Sequence, residues 1–371
     1  MTKRLENLRA KLKEKELDAI WVATPENRRW VSGFTGSAGH IFVTQKEAVL
    51  ATDFRYVEQA AQQSPAFRVH RQTSSASGPG WFVQVLNDLA LGGKKVGFEA
   101  HTLTVAQFKS FTDALGQAPA EQRPHLTQTT GIIEELRVMK DAEELALLQK
   151  AIDQADKAMD LVAPKVRPGM KEREVAWEME KAMREAGADA LSFDIIVGAG
   201  PNGALPHHRA DDTVIKSGDA VVIDMGAKCD GYCSDLTRTI AVGKPDDTFK
   251  KVYDIVLTAQ LTAMSLVRPG MTGHDCDAIA RKVIAEAGYG ETFGHALGHG
   301  VGLAVHENPR VGANAKDVLE LGMVFTIEPG IYVTGWGGVR IEDVVILEAN
   351  GARSLSHARR LDTFTMGAHA R

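Results

Sequence analysis

Three of the twelve histidines, His295, His299 and His306, fall inside the single stretch Gly294–Glu307, G-H-A-L-G-H-G-V-G-L-A-V-H-E. His295 and His299 are four apart and would share a helix face, but Gly294, Gly298, Gly300 and Gly302 make a helix costly there. A glycine-rich loop is expected instead, running into a strand over Val301, Leu303 and Val305 that carries His306 near its end. The carboxylates that could join these imidazoles come in two matched pairs. Asp224 ends the apolar run Ala220-Val-Val-Ile, Asp235 follows the turn residues Cys229-Asp-Gly-Tyr, and a hairpin would bring the two together. Glu328 and Glu342 stand around Gly335-Trp-Gly-Gly in the same way. Four carboxylates gathered at one buried point repel one another and lose hydration prohibitively unless cations compensate. A pair of metal ions meets that need. Oxygen ligands with one imidazole suit Mn, Co, Zn or Fe, and carboxylates can bridge ions ~3.5–4 Å apart. His299 is the candidate for the nitrogen ligand.

The elements that must position these residues show themselves as an internal repeat. Val166-Arg-Pro-Gly-Met170 recurs as Val267-Arg-Pro-Gly-Met271, and each copy leads into a helical stretch closing in Glu185-Ala-Gly187 or Glu286-Ala-Gly288. Further on, Gly218-Asp-Ala-Val-Val-Ile-Asp-Met-Gly226 aligns with Gly322-Met-Val-Phe-Thr-Ile-Glu-Pro-Gly330, so that Asp224 falls on Glu328. Asp235 and Glu342 each stand just before an apolar strand. Two similar halves, each delivering two carboxylates to a shared axis, predict a pseudo-symmetric α+β domain of antiparallel strand pairs with helices on one side. Ahead of the first copy, Leu145, Leu148, Ile152, Ala155, Met159 and Val162 form one face of a long helix over 141–162.

The first part of the chain reads differently. Leu5, Leu8 and Leu12 repeat at helical spacing, Ile20-Trp-Val-Ala, His40-Ile-Phe-Val-Thr, Ala48-Val-Leu-Ala-Thr and Lys94-Lys-Val-Gly-Phe-Glu read as strands, and 81–91 and 105–115 read as helices. Ser74 to Gly80 is a loop by composition. This alternation indicates an α/β domain over residues 1–125, with Arg123-Pro-His-Leu-Thr-Gln-Thr-Thr-Gly as the boundary before a second domain over 126–371.

Composition narrows the classes of function. A formal charge of -5 over 371 residues, with no basic patch interleaved with aromatics, excludes nucleic acid as the main partner. No apolar run reaches the ~18–20 residues of a membrane span, so no membrane partner is expected. The charged opening Met1-Thr-Lys-Arg-Leu-Glu-Asn shows no secretory signal, and three cysteines make no disulfide framework; a cytoplasmic location is expected. Cys229 and Cys233 do not have Cys-x-x-Cys spacing and read as packing residues. Gly33-Phe-Thr-Gly-Ser-Ala-Gly39 lacks the phosphate-loop form.

With these residues in view the chain resembles the pita-bread metallopeptidases of the aminopeptidase P and prolidase branch. The resemblance rests on I-D-M-G…Y-C-S-D holding Asp224 and Asp235, G-H-G-V-G-L-A-V-H-E holding His299, E-P-G-I-Y holding Glu328, and G-G-V-R-I-E-D holding Glu342. Ala296 departs from the Gly or Ser of the family pattern. The resemblance implies a creatinase-like α/β amino-terminal domain followed by a pseudo-two-fold α+β pita-bread catalytic domain. It also implies two divalent ions, Mn first with Co or Zn as alternatives. Asp224 would chelate one ion, Asp235 and Glu342 would bridge, and His299 with Glu328 would hold the other. Glu328 would also be the general base, His207 and His306 would face the substrate, and His295 and Arg340 would mark the proline-specific branch. Phe193, His295 and Trp336 are candidate walls of a proline pocket. Substrates would be proline-containing peptides and the assembly a homodimer or larger. Asn27-Arg-Arg-Trp-Val-Ser-Gly-Phe-Thr-Gly-Ser-Ala-Gly and the stretch from Thr52 look more like aminopeptidase P, so release of the first residue ahead of proline is expected, with Xaa-Pro dipeptidase activity as the alternative. A creatinase-like amidinohydrolase and a non-catalytic peptide-binding module are more distant, because none of the five ligands is missing.

Overall fold

A computed structural model describes residues 2–73 and 79–361, in two compact units, Met1–Arg137 and Val138–Arg371. The loop expected over 74–80 lies, for residues 74–78, outside the described residues; Gly80 already begins the helix Gly80–Asp88.

The first unit is a six-stranded mixed sheet in the order Arg68–Arg71, Ala48–Thr52, His40–Thr44, Ala19–Val22, Lys95–Glu99, His125–Thr129. Trp21, buried on the central strand, packs against Phe42, Phe82, Phe98 and Phe111, which ties the sheet to the helices Gly80–Asp88 and Val105–Gly116. The boundary falls later than residue 125. The segment that reads as a linker is the sixth strand, paired in parallel with its neighbour from Lys95↔His125 to Glu99↔Thr129. Alternating Thr and Gln at its centre carries too little apolar signal to mark a strand from sequence.

The second unit is built twice over. Each half starts with a long helix, Ala142–Val162 (21 residues) or Asp247–Leu266 (20 residues). Asp141 caps the first through a reciprocal box with Glu144, and of the expected face only Leu145 is not fully buried. A turn follows in which Pro168 and Gly169 (φ 93), or Pro269 and Gly270 (φ 92), occupy the central positions, closed by Met170 N→Arg167 O or Met271 N→Arg268 O. Proline then glycine is what such a turn requires, which explains why this motif is repeated. Each turn leads into a 14-residue helix, Glu172–Glu185 or Gly273–Glu286.

Each half then supplies an antiparallel strand pair. Ala220–Met225 pairs with Leu236–Ala241, and Val324–Ile327 pairs with Asp343–Glu348. The halves have separate cores. Met159, Val162, Val175 and Met179 close on Val221 and Ile223 in the first, while Val252, Val256, Ala280 and Ile284 close on Phe325 and Ile327 in the second. Burying each of the larger of these side chains is worth about 1.5–3 kcal/mol. The strand pairs therefore cannot slip by one residue without turning a core face outward, and that fixes where their carboxylates point. The strand expected over 301–305 is absent: the strand is Gly298–Gly300, and the chain runs irregularly to the strand Glu307–Val311, with His306 just before it. No described helix is long and apolar enough to cross a membrane.

Candidate metal centre

The register of the strand pairs assembles the acidic cluster. Asp224 lies opposite Thr237, Asp235 immediately precedes the strand Leu236–Ala241, Glu328 follows Ile327, and Glu342 precedes Asp343, which lies opposite Ile327. The backbone joins the halves here, Glu342 N donating to Thr237 O. His299 enters from Gly298–Gly300, where the pairing with Glu307–Val311 shifts register between His299 and Gly300. A Cβ on Gly298 would run into the backbone of Thr326, and one on Gly300 into that of Asn308. Glycine on both sides lets the histidine strand lie close enough to reach the carboxylates.

Donor atoms of Asp224, Asp235 and Glu342 lie within 4.8 Å of one another, and so do those of His299, Glu328 and Glu342. Three of the four carboxylates are oriented by a donor. Arg340 Nη2 donates to Asp224 Oδ2 at 2.6 Å, and Thr237 Oγ1 donates to Glu342 Oε2 at 2.6 Å. Thr326 Oγ1 donates to Glu328 Oε1 at 3.1 Å. The other oxygens of two of them, Asp224 Oδ1 and Glu342 Oε1, are buried with no hydrogen-bond partner. Such orphaned acceptors are costly unless a cation faces them.

The electrostatics point the same way. Burial, then the neighbouring Glu342, Asp224 and Glu328 charges, holds Asp235 well above the usual carboxylate range. Burial and the Glu328 and Asp224 charges do the same to Glu342. Asp224 is also raised, by burial against the opposing pull of Arg340. Glu328 is the exception: burial pushes it up, but its bond to His299 and the nearby His295 and Arg340 charges outweigh that and bring it down to about 2. His299 Nδ1 lies 3.0 Å from Gly300 O, which makes Nδ1 the protonated nitrogen and Nε2 the free donor. That Nε2 faces Glu328 Oε1 at 3.3 Å and Asp235 Oδ2 at 3.6 Å. A lone pair aimed at two carboxylates is stable only with a proton or a metal ion between them. Orphaned oxygens, raised carboxyl pKa values and an imidazole lone pair together fit a divalent cation site.

A cavity of about 430 Å³ opens onto this cluster, within the size range of small-molecule sites. Phe193, His207, His295, His306 and Arg340 line it; Trp336 does not, since it packs on the core of the second half and directs its indole N–H toward Asp246 at 3.4 Å. The His306 ring lies 4.1 Å from that of His299. Arg340 is less a free surface group than a buried strut. Besides Asp224 it donates to Tyr332 Oη at 2.7 Å and Thr237 Oγ1 at 3.1 Å. Tyr332 Oη in turn contacts His295 Nε2 at 2.9 Å, while His295 Nδ1 bonds Ala296 O at 2.8 Å. Sequence reasoning overlooked Thr237, Thr326 and Tyr332. The two threonines stand two residues from Asp235 and Glu328 along the strands, on the same face, and that spacing was the available signal.

Residues 146–349 match the model of metallopeptidase family M24, and residues 4–139 match the creatinase/prolidase N-terminal domain. The chain belongs to family M24. Its place is on the Xaa-Pro dipeptidase and aminopeptidase branch, with the two-domain pita-bread architecture of that branch. The Xaa-Pro dipeptidase of Pyrococcus furiosus is 38% identical over 363 residues, 97% of this chain and 99% of that protein. The solved structure of an Xaa-Pro dipeptidase from Bacillus anthracis superposes with a TM-score of 0.91 at 40% identity, covering 97% of this chain and 98% of that one. The X-Pro aminopeptidase from Thermotoga maritima superposes with a TM-score of 0.85 at 35% identity, over 96% and 98% of the two chains. M24 membership and the histidine-carboxylate cluster make this a metallopeptidase; all three cysteines are buried and unpaired, and burial raises Cys276 to about 12, as for packing residues.

Proposed function

We propose that the chain is a dinuclear Xaa-Pro dipeptidase, which hydrolyses the single peptide bond between an amino-terminal residue and a carboxy-terminal proline. The observation that carries this reading is the five-donor cluster with two orphaned carboxylate oxygens, on a chain that Xaa-Pro dipeptidases match over nearly its whole length. Asp224, Asp235 and Glu342 would hold one ion and His299, Glu328 and Glu342 the other, with Asp235 close enough to His299 to be shared. Divalent ions there, Mn first among Mn, Co and Zn, supply Lewis acidity to the scissile carbonyl and a lowered pKa to an attacking water.

The chain's own residues do the rest. Glu328, oriented by Thr326, takes the proton from the attacking water and returns it to the prolyl nitrogen, which must leave as an amine. His306, whose pKa burial lowers, offers a ring N–H to the carbonyl oxygen as charge develops there, and His207 faces the same space. Proline provides no amide N–H to grip, so recognition falls to ring walls. Phe193 and the His295 ring, fixed by Tyr332, supply them. A dipeptide also ends in a free carboxylate. Arg209 lines the cavity, is exposed, and has no carboxylate partner among the described residues, which makes it the cation for that group.

The aminopeptidase reading remains the second one, favoured by the Thermotoga maritima structure. The segment from Asn27 that resembles aminopeptidase P is spent on packing inside the first unit. Asn27 Nδ2 donates to Glu99 and Glu134, Arg28 donates to Gly36 O and Gly39 O, and Phe34 is buried. Its resemblance therefore reports on that unit's fold before it reports on substrate length. Metal-stripped protein reconstituted with Mn, Co or Zn should be assayed on Xaa-Pro, Xaa-Pro-amide and Xaa-Pro-Yaa. Fastest turnover of the free dipeptide is expected; tripeptide cleavage at equal or higher kcat/KM would transfer the assignment to aminopeptidase P.

A further inference from the structure

Outside the acidic cluster, a second group of donor atoms lies close together: Glu172, His208 and Asp211. It differs from the first in one decisive respect. Every oxygen of Glu172 is already used: Oε1 accepts from Ala199 N at 2.8 Å and Asn202 Nδ2 at 3.0 Å, and Oε2 accepts from His208 Nε2 at 2.7 Å and Asp211 N at 3.3 Å. A carboxylate with four donors and no exposed surface has no valence left for an ion. Its partners show what it does instead. They span the end of the strand Ile196–Ala199, the turn Gly200–Ala204 and the loop that follows, the segment that carries His207 to the cavity.

His207 itself is exposed and no hydrogen bond holds its ring among the described residues. Its position is set by its backbone, and the backbone is pinned on either side. His208 N donates to Leu205 O at 3.0 Å, Pro206 O accepts from Arg340 Nη2 at 3.4 Å, and the His208 ring is clamped by Glu172. His208 lines the same cavity, so the grip of Glu172 on its ring fixes the backbone one residue away from His207.

We propose that Glu172 and His208 are positioning residues, a buried clamp that aims the adjacent His207 at the scissile bond. The inference rests on the reading of His207 as substrate-facing. Gln at 172 can keep its amide oxygen toward Ala199 N and Asn202, but it then presents an NH2 to the Asp211 N–H and holds His208 only in its Nδ1–H tautomer, so Glu172→Gln weakens the grip on the loop while sparing the strand. His208→Gln keeps an N–H in reach of Glu172, whereas His208→Ala does not.

The test is a double-mutant cycle on Xaa-Pro hydrolysis by the metal-loaded enzyme. E172Q and H208A are expected to lower kcat on the order of 10- to 100-fold with KM little changed, since a displacement of about 1 Å can have that effect. H208Q should recover most of the rate. In an H207A background the same changes should lower the rate by less than about twofold, because the group they position is gone. A merely structural role would give equal losses in both backgrounds. The same coupling is read without turnover from the ring 1H–13C signals of histidine-labelled protein, the His207 signal being assigned through H207A. It should shift or broaden in H208A and stay in place in H208Q. Additive rate losses, or a His207 signal unmoved by H208A, overturn the clamp. Absence of Xaa-Pro hydrolysis by the wild type would instead overturn the proposed function and leave the spectroscopic arm to decide the clamp.

Discussion

Replacing Arg340 by methionine tests the electrostatic construction of the site most directly. The guanidinium is buried and makes three short bonds, to Asp224 at 2.6 Å, Tyr332 at 2.7 Å and Thr237 at 3.1 Å. Methionine keeps much of the volume and removes all three donors together with the charge. Breaking a buried ion pair from one side costs about 3–5 kcal/mol, because the remaining charge is left without compensation. At about 2–4 °C per kcal/mol for a unit of this size, the metal-free protein should lose roughly 10 °C in Tm. The metal supplies a second source of compensation for Asp224, so the loss should be smaller in protein reconstituted with Mn. Calorimetry of chelator-treated and Mn-loaded samples, wild type against R340M, measures both numbers. Lysine at 340 restores a point charge but not the fork that reaches Tyr332 and Thr237 together, and R340K should fall between. A loss below about 1 kcal/mol in the stripped protein, or a larger loss in the loaded protein than in the stripped one, would refute this account of Arg340.

Four other substitutions have outcomes set by the same structure. Thr237→Val removes the donor that orients Glu342 and the acceptor that orients Arg340, and should weaken metal binding about 10- to 100-fold in competition with a chromogenic chelator, while Glu342→Ala should abolish hydrolysis outright. Arg209→Gln should raise KM for Xaa-Pro by about 10-fold or more and leave Xaa-Pro-amide unchanged; an equal effect on both would show that Arg209 does not read the carboxylate. Asp156 is pushed up to about 6 by burial, against about 3.9 in an unfolded chain, so the folded state binds its proton more tightly. Its contribution to stability is therefore lost as pH rises from about 4 to about 6, and Asp156→Asn should stabilise the protein by about 1–3 kcal/mol at pH 7.5 and by nothing at pH 4 in urea titrations.

What could be read from the sequence was what local rules carry. The Arg-Pro-Gly-Met turns are legible because proline and glycine have fixed turn positions, and the strand pairs are legible because Val221, Ile223, Phe325 and Ile327 alternate toward their cores. From those two facts the convergence of Asp224, Asp235, Glu328 and Glu342 follows. What could not be read depends on partners far away in the chain. The register shift beside His299 sets the backbone of Asn308 against Gly300, and Glu172 shows no local sign of the partners 27 to 39 residues away that its carboxylate holds. Arg340 reads as a substrate contact until the first half's Thr237 and Asp224 are seen to occupy its donors.

That last point bears on why the repeat is a single unit. One ligand of each half is oriented by a side chain of the other: Arg340, from the second half, holds Asp224, and Thr237, from the first, holds Glu342. The two threonine and arginine contacts even share atoms, since Arg340 Nε donates to the same Thr237 Oγ1 that donates to Glu342. A half on its own would keep its core and its strand pair, but Asp224 or Glu342 would lose the side chain that aims it, while Glu328 alone keeps its partner, Thr326, within its own half. The imidazole breaks the symmetry. The second half adds His299 on its glycine-flanked strand, while the first half offers Glu172 and His208 to hold the loop that carries His207. The acidic donors thus come equally from both halves, and the histidines around them come unequally. Duplication accounts for a place where cations are needed, and the departures from duplication account for which side of it a peptide approaches.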